Sequence, residues 1–536
     1  MVRISDIKLP VTHDRKALLR EAAKKLRVGE NAIRKIRIVR RSLDARRKPN
    51  LFYVYTADAE LKENSVSKSL HNNFMSSPDE QYRLPAAGKM KPGPRPLVIG
   101  SGPAGLFAAL LLAEAGLKPI ILERGEDALT RTKKAERLFK EGILDPLSNV
   151  QFGEGGAGTF SDGKLNTSVR DPGFRGKFVK ETFVRFGADP EILYDAKPHV
   201  GTDVLTGILV KMREYMTCLG AEYRFLSKAT GFQTKNGALT AVIVNDREII
   251  PADTAVLSPG HSARDTFFML HELGVAMEAK PFAAGIRIEH PQEMIDLAQY
   301  GRARESLPPA SYKLTHQTKT GRGVYSFCMC PGGCVVNASS EPGRLTVNGM
   351  SYSKRDSANA NSALIVSLNP RDYGKLVLDK SVPEALAGIA FQRKLEEAAF
   401  RAAGGRLPQI LYGDLKAGRV TRSYGDFISC TKGESAFADV SAVLPDFMTG
   451  CLLEGIEAFG KKLRGFDRFD AIITAVEARS SSPVRILRDE AYLSSVRGLY
   501  PAGEGAGYAG GIMSAAMDGM RCAEKIIRNG YGGRAV

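Results

Sequence analysis

The sequence predicts an α/β fold: a parallel sheet built from two separated stretches of chain, an α+β domain inserted between them, and a small α+β domain at the N-terminus. Three observations lead to this prediction. From residue 95 onward, strands alternate with helices at glycine-rich junctions, which is typical of parallel α/β sheets. Strand–glycine–helix motifs occur near residue 100 and again near residue 503. Between them, "PGGC" and "SEPGRLTVNG" are signals for hairpins.

The first 93 residues predict the small α+β domain and a linker or wrapped arm. Residues 2–8 alternate as a short strand, and residues 14–27 repeat apolar residues at helical spacing, with Asp14 placed to cap the helix. "IRKIRIVRR" and "LFYVYTADAEL" predict two further strands. Residues 66–94 are rich in Ser, Asn, Pro and Lys and predict the linker or arm.

Positive charge is concentrated in this N-terminal part. The chain has a formal net charge of +17, and residues 1–93 hold 21 Lys and Arg against 10 Asp and Glu. Such a block indicates nucleic acid, an acidic partner or an anionic substrate, or else a solvated basic face without a partner. The solvated face is the more frequent case, because net charge says little about specific binding.

Composition argues against a membrane or secreted protein. No stretch approaches the roughly 20 apolar residues that a membrane span requires. The beginning, "MVRISDIKLP", lacks the apolar region of a secretory signal. Seven cysteines in 536 residues do not form a disulfide framework. We therefore expect reduced thiols and a cytoplasmic protein.

A dinucleotide-binding motif occupies residues 97–124. A short apolar strand precedes Gly100-x-Gly102-x-x-Gly105, an apolar helix follows, and a second strand ends at Glu123. The three glycines allow a tight turn, close approach of a pyrophosphate to the backbone, and close packing of helix on strand. The helix N-terminus favours phosphates, and an acid at 123 accepts hydrogen bonds from a ribose diol. The acid argues against a 2′-phosphate but does not distinguish NAD from FAD.

A second motif, "VRGLYPAGEGAGYAGGIMSAAMDGM", begins at residue 496 and resembles the glutathione-reductase-type FAD flavoproteins. In that superfamily a late strand ends in an acid, usually Asp, that holds the ribitol chain; here it is Glu504. The next helix, from about Ile512, directs its N-terminus at the flavin, where it stabilises the negative charge of the reduced ring. The resemblance implies FAD as the cofactor.

Two further stretches match elements of the same superfamily. "SPGHSARDT", from 258, resembles the strand end that returns the chain to the cofactor, and "FGEGGAGTFSDGKLNT", from 152, resembles a glycine-rich approach to the ring. The whole set of motifs is similar to a family of predicted bacterial FAD-dependent dehydrogenases over about 94–536. The residues expected to contact FAD are Gly100, Gly102, Pro103, Ala104, Gly105, Glu123, Arg124, Gly156, Gly158, Thr159, Asp162, Lys164, Gly260, Gly503, Glu504, Gly510, Gly511 and Ile512.

The motifs also give domain boundaries. We expect a basic domain with linker at 1–93, a Rossmann-like FAD-binding domain at 94–275 and 471–536, and a substrate domain at 276–470. A second GxGxxG unit for NAD(P)H is absent from 170–495. Electrons must then come from a small-molecule substrate that gives hydride to flavin N5, or from NAD(P)H that docks transiently.

The stretch "CMCPGGC", residues 328–334, holds three of the seven cysteines. Read as a hairpin around "PGG", it places Cys330 opposite Cys334, within disulfide range. The alternatives are a metal site with a fourth ligand from Cys430, Cys451 or His316, a catalytic dithiol, or buried reduced thiols near the flavin. The spacing favours buried thiols and argues against a metal site.

Candidate catalytic residues are His261, Arg264, Tyr325 and Lys354, since these polar groups follow the cofactor strand or lie on loops of the substrate domain. Clustered cations favour an anionic organic substrate, because guanidinium binds carboxylate in a bidentate manner. The sequence thus predicts an FAD-dependent oxidoreductase. The alternatives are a flavin-dependent RNA-modifying enzyme that grips RNA with its basic domain, and a non-enzymatic flavoprotein.

Overall fold

The structure is a computed structural model that describes residues 1–62, 76–88, 93–301, 304, 307–377, 379 and 381–530. The predicted linker, 66–94, falls partly outside these residues.

The described chain contains helices and runs of consecutive strands, such as those at 222–257 and 315–368. The strands are β1 Val2–Pro10, β2 Ile33–Asp44, β3 Phe52–Leu61, β4 Leu97–Ile99, β5 Ile120–Leu122, β6 Glu222–Arg224, β7 Ala229–Lys235, β8 Ala238–Val244, β9 Glu248–Pro251, β10 Ala255–Leu257, β11 Met277–Ala279, β12 Phe282–Pro291, β13 Thr315–Gln317, β14 Gly323–Cys330, β15 Cys334–Asn337, β16 Val347–Met350, β17 Asn359–Leu368, β18 Leu407–Leu411, β19 Ser435–Phe437, β20 Ile472–Glu477, β21 Val484–Ile486 and β22 Leu499–Pro501. The α-helices are α1 Ala17–Leu26, α2 Pro103–Glu114, α3 Ala128–Glu141, α4 Arg175–Arg185, α5 Thr202–Cys218, α6 Arg264–Glu272, α7 Gln292–Tyr300, α8 Pro370–Leu376, α9 Ala387–Ala402, α10 Tyr412–Lys416, α11 Asp446–Gly460 and α12 Ile512–Asn529.

A five-stranded parallel sheet forms the first layer, in the order β22-β10-β4-β5-β6. Strands β4, β10 and β22 are buried on both faces, as expected of a parallel sheet covered by helices, whereas the edge strand β6 is partly exposed. Helix α2 is apolar all round and lies in the core, where it packs against α12. Gly519 allows this close approach because it has no Cβ. A Cβ at this position would lie 2.0 Å from the carbonyl oxygen of Ala104. The predicted α/β fold class is confirmed.

The second layer is a mixed seven-stranded sheet, in the order β13-β14-β17-β12-β20-β18-β19. Its central strands β12 and β17 pair antiparallel over ten residues each and are almost wholly buried. Helices α7, α9 and α11 pack against this sheet and share its apolar core. The sheet therefore gives a rigid wall opposite the parallel sheet.

The N-terminal residues form a separate antiparallel sheet, β1-β3-β2, with α1 packed on it. Helix α1 begins at Ala17 with Lys16 as its N-cap, so Asp14 is not the cap residue. The Asp14 carboxylate instead accepts the amide of Lys16 at 2.7 Å. The described part of the arm, 76–88, runs to the C-terminal helix, where the Tyr82 hydroxyl donates to Glu524 at 3.1 Å.

The predicted hairpin at "CMCPGGC" is wrong. Strand β14 pairs with β13 and β17, whereas β15 pairs with β16. The ladder between β14 and β17 is also interrupted between Phe327 and Cys330, where Cys328 has a φ of 41°. This bulge breaks the simple alternation of side chains on which the hairpin prediction rested.

Among the described residues, no helix combines the length and apolar character needed to cross a bilayer.

Candidate cofactor and substrate site

A cavity of about 1040 Å³ lies between the two large sheets. One wall consists of residues that follow β4, β5, β10 and β22, at the carboxyl edge of the parallel sheet. The other wall comes from β14, β16 and the end of β20. Ligands of open α/β sheets bind at this carboxyl edge, where strand order reverses. The volume lies at the upper end of ligand pockets, roughly 300–1,000 Å³.

The glycine motif after β4 forms the floor of the cavity. Gly100 has a φ of 92°, which favours glycine. A Cβ on Gly105 would lie 1.8 Å from the carbonyl oxygen of Gly100, so α2 can approach the strand only with glycine there. At Gly102, by contrast, an added Cβ would meet no atom closer than 3.8 Å. The backbone at the start of α2 is therefore open to a ligand.

Glu123 and Arg124 line the cavity at the end of β5. The Glu123 carboxylate accepts the amide of Ser101 at 2.9 Å and that of Gly153 at 3.0 Å. The Arg124 guanidinium lies over the Phe152 ring at 4.4 Å. The Ser101 hydroxyl and the Gly125 amide also donate to Glu123, so about four acceptor sites of the carboxylate are filled. A ribose hydroxyl bound here would take the place of the Ser101 hydroxyl.

His261 and Glu504 face each other after β10 and β22. Nδ1 of His261 lies 3.1 Å from Oε2 of Glu504. The other imidazole nitrogen, Nε2, is buried and has no partner among the described residues. Nearby, the N-terminus of α12 opens on the cavity, because a Cβ at Gly510 or Gly511 would meet no atom within 4 Å. A polar ligand is therefore expected here.

The glycine-rich segment after α3 supplies a third side. Gly156 and Gly158 line the cavity together with Asp162 and Lys164. The carboxylate of Asp162 pairs with Arg355 and lies 3.4 Å from Lys164 Nζ. The hydroxyl of Thr159 points behind this wall, 3.4 Å from an Arg131 nitrogen. Thr159 is therefore a support for the segment.

These features fit FAD. The open backbone at Gly102, the free N-terminus of α12 and the unpartnered Nε2 of His261 are three places where a polar ligand would be held. Most residues expected to contact FAD line the cavity: Gly100, Gly102, Pro103, Ala104, Glu123, Arg124, Gly156, Gly158, Asp162, Lys164, Gly260, Glu504, Gly510, Gly511 and Ile512. Gly105, Thr159 and Gly503 lie just behind it.

The four candidate catalytic residues are not brought together. His261 lines the cavity, but Arg264, Tyr325 and Lys354 are not among the lining residues. Lys354 is exposed, and Tyr325 packs beside Phe327 in a small apolar cluster. These positions do not favour a direct role in chemistry for the last three.

Arg264 instead belongs to a buried ion cluster behind the cavity. Its side chain is 1% exposed, and its guanidinium donates to Glu396 at 2.7 and 2.8 Å. Glu396 also pairs with Arg479, whose guanidinium lines the cavity. Burial opposes the charge on Glu396, but the two arginines outweigh it and hold the pKa of this carboxyl well below its usual range. The cluster therefore positions Arg479.

One corner of the cavity is cationic, and no sequence motif indicates it. Lys197 Nζ donates to the Ser311 hydroxyl at 3.0 Å, and Lys164 and Lys313 line the same cavity. Lys197 and Lys313 are exposed, and neither makes a salt bridge within the described part of the chain. Desolvation by the surrounding protein, together with Arg355 and Lys164, lowers the pKa of Lys197. Lys197 and Ser311 lie far apart in the sequence, so no local pattern could indicate them.

The cysteines of "CMCPGGC" occupy different environments. Cys328 lines the cavity, and desolvation there raises the pKa of its thiol to about 11. Cys330 is buried, and its Sγ donates to the carbonyl oxygen of Cys328 at 3.2 Å. All seven cysteines are free thiols. Among the described residues, no group of three or more His, Cys, Asp and Glu is placed to hold a metal ion.

Three family models match the chain. Residues 95–143 match an FAD binding domain, residues 281–480 match the C-terminal domain-like model of an FAD-dependent protein, and residues 1–60 match a domain of unknown function, DUF8436. The first match covers the glycine motif, and the second covers most of the seven-stranded sheet. Fold, site and family models together define an FAD-binding protein.

The chain belongs to a family of FAD-dependent proteins that includes an uncharacterized protein from Clostridium beijerinckii (strain ATCC 51743 / NCIMB 8052). The two are 45% identical over 534 residues, or 98% of each chain. Solved structures are similar at a lower level. An L-amino acid deaminase from Proteus vulgaris gives a TM-score of 0.32 at 13% identity, covering 85% of this chain and 98% of its own. The FAD complex of a Bacillus halodurans glycerol-3-phosphate dehydrogenase gives 0.35 at 11% identity, covering 82% and 65%.

Proposed function

We propose that this protein is an FAD-dependent oxidoreductase that transfers hydride between the flavin and an anionic organic substrate. The observation that carries the proposal is the cationic corner of the cavity, where Lys197 and Lys313 have no acidic partner among the described residues. Desolvation, followed by the charges of Arg355 and Lys164, lowers the pKa of Lys197. Because the Asp162 carboxylate is already paired with Arg355 and Lys164, it leaves Lys197 and Lys313 without a counter-charge. A carboxylate or phosphate bound there would supply that counter-charge.

The residues around the cavity have distinct roles in this proposal. FAD, when bound, supplies the hydride chemistry. The start of α2 and the N-terminus of α12 hold its charged groups, and Glu123 and Glu504 its hydroxyl groups. His261 is fixed through Nδ1 by Glu504, so Nε2 is free to hold or move a proton. Lys197 and Ser311 orient the substrate from the opposite side.

The alternatives are less well supported. Many arginines of the basic N-terminal sheet already pair with acids: Arg3, Arg20, Arg34, Arg37, Arg41 and Arg46. Pairing removes part of the charge that would contact RNA phosphates. A non-enzymatic flavoprotein would not require an unpaired cationic corner beside its cofactor.

Replacing Lys197 by glutamine tests the anion site. Removing a charged hydrogen-bond donor costs about 1.5–3 kcal/mol, which corresponds to a roughly 10- to 100-fold weaker affinity for bound anions. Affinity is measured from the change in flavin absorbance as small carboxylates and phosphates are titrated. The control is Lys354→Gln, which removes an exposed lysine outside the cavity. Equal affinities in both variants, or no anion binding to the unmodified protein, would contradict the proposal.

The electron donor is tested separately by anaerobic mixing. The FAD-loaded protein is mixed with NADH and then with NADPH while flavin absorbance is followed. Rapid bleaching identifies a nicotinamide that docks transiently, and the acceptor is then the substrate. Absence of bleaching, with normal photoreduction, indicates that the organic substrate is the donor. Failure of every donor and acceptor to change the flavin would favour a non-enzymatic flavoprotein.

A further inference from the structure

Two cysteines that have no role in the proposed function come together in the fold. Cys334 begins β15, and Cys430 lies in the loop that precedes β19. We propose that Cys334 and Cys430 are a thiol–disulfide exchange site that forms a reversible disulfide with low-molecular-weight disulfides of the glutathione type as oxidant. The proposal goes beyond the flavin chemistry and does not depend on it.

Backbone pairing places the two residues opposite each other. The Lys432 amide donates to the Val335 carbonyl at 2.7 Å, and the Asn337 amide donates to the Lys432 carbonyl at 2.9 Å. This is a parallel bridge between Val336 and Lys432. Cys334 and Cys430 each lie two residues before this isolated bridge, and their thiols contact each other. Neighbouring strands lie about 4.7–4.9 Å apart, and disulfides form between Cα atoms about 4.4–6.8 Å apart.

The groups around Cys334 favour its thiolate form. A hydrogen bond from the Cys430 thiol lowers the pKa of Cys334, and the Ser357 hydroxyl, 3.5 Å from Cys334 Sγ, and Lys432 act in the same direction. The same contact raises the pKa of Cys430. The thiolate is the nucleophile in exchange, so Cys334 attacks and Cys430 resolves. Cys334 is buried and Cys430 is half-buried, so the small disulfide reaches Cys334 when the loop that holds Cys430 opens.

The exchange proceeds in two steps. The Cys334 thiolate attacks one sulfur of the small disulfide, the S–S bond breaks, and one small thiolate leaves. The Cys430 thiol then loses its proton, its sulfur attacks Cys334 Sγ in the mixed disulfide, and the second small thiolate leaves. Two protein thiols are oxidised to one disulfide, and one small disulfide is reduced to two thiols.

The disulfide would act on the cavity wall. Strand β15 pairs with β16, where Val335 lies opposite Gly349. Gly349 and Asn348 line the cavity. A bond from Cys334 to the loop at Cys430 therefore ties this part of the wall to a second segment of the chain.

Disulfide mapping of the full-length, FAD-loaded protein tests the proposal. The protein is incubated with glutathione disulfide, quenched with acid and N-ethylmaleimide, and digested for mass spectrometry. We expect a peptide pair linked through Cys334 and Cys430, and a fall in free thiols from seven to five per chain because one disulfide consumes two thiols. Glutathione should restore all seven.

Two variants sharpen the result. Cys430→Ser should accumulate glutathione on Cys334, since the resolving thiol is gone, whereas Cys218→Ser, at an exposed cysteine, should still form the 334–430 link. A link between Cys330 and Cys334, or glutathione on Cys218 with no internal link, would overturn the proposal. The mapping of the unmodified protein decides the matter if Cys430→Ser does not fold. No step requires enzyme turnover, so this test and that of the proposed function fail independently.

Discussion

Replacing Glu396 by glutamine should destabilise the seven-stranded sheet and disturb the cavity wall. Glu396 is 0% exposed and accepts hydrogen bonds from Arg264 and Arg479, at distances of 2.7–2.8 Å. Glutamine keeps the shape of the side chain but removes its negative charge. The buried guanidinium groups of Arg264 and Arg479 are then balanced only by Glu341, at the edge of the cluster. Breaking a buried ion pair in this way costs about 3–5 kcal/mol.

Urea unfolding of the FAD-loaded protein measures this cost. The matched control is Glu397→Gln, the next residue on α9, whose carboxylate pairs with Arg344 at the surface. An exposed pair contributes about 0–1 kcal/mol, so the control should unfold close to the unmodified protein. Glu396→Gln should also retain less FAD, because Arg479 lines the cavity. Equal urea midpoints for the two variants would refute our account of the cluster.

Two further predictions concern the glycine motif and a buried histidine. Gly105→Ala should lose FAD, because its Cβ would lie 1.8 Å from the Gly100 carbonyl oxygen. Gly207→Ala, where a Cβ meets nothing within 4 Å, should keep FAD and gain about 0.5–1 kcal/mol of stability. The flavin-to-protein absorbance ratio reports FAD retention in both variants, and urea unfolding reports the stability gain. Burial lowers the pKa of His290 to about 4. An unfolded histidine has a pKa of about 6.5, so the unfolded chain binds the proton first, and stability should fall by roughly 3 kcal/mol from pH 6.5 to 4. Urea midpoints across this range should change less in His290→Gln, and an identical profile would contradict the assignment.

The cofactor side of the site could be predicted from the sequence because its signals are local. Strand, glycines, helix and acid lie within about thirty residues at 97–124, and the physics of the phosphate cradle requires that spacing. The same holds for the glycine turn before α12. In both places the structure places the expected residues around one cavity.

The substrate side could not be predicted because its contacts are long-range. "CMCPGGC" has the sequence pattern of a hairpin, yet β14 finds its partners in β13 and β17. Arg264 was a catalytic candidate because it follows the cofactor strand. In the structure it is the first residue of α6, and its guanidinium forms a buried ion pair with Glu396 on α9. Lys197 and Ser311 meet only through the tertiary fold.

The order of strands in the parallel sheet also determines when the protein can first hold its cofactor during synthesis. Strand β10 lies between β4, which follows the N-terminal sheet and arm in the sequence, and β22, which comes about 400 residues after β4. A nascent chain on the ribosome can form the glycine cradle early, but Glu504 and the N-terminus of α12 emerge last. Because β22 completes the sheet and α12 packs on α2, the partly made chain leaves the apolar α2 uncovered. FAD retention should therefore report on chains that extend through α12.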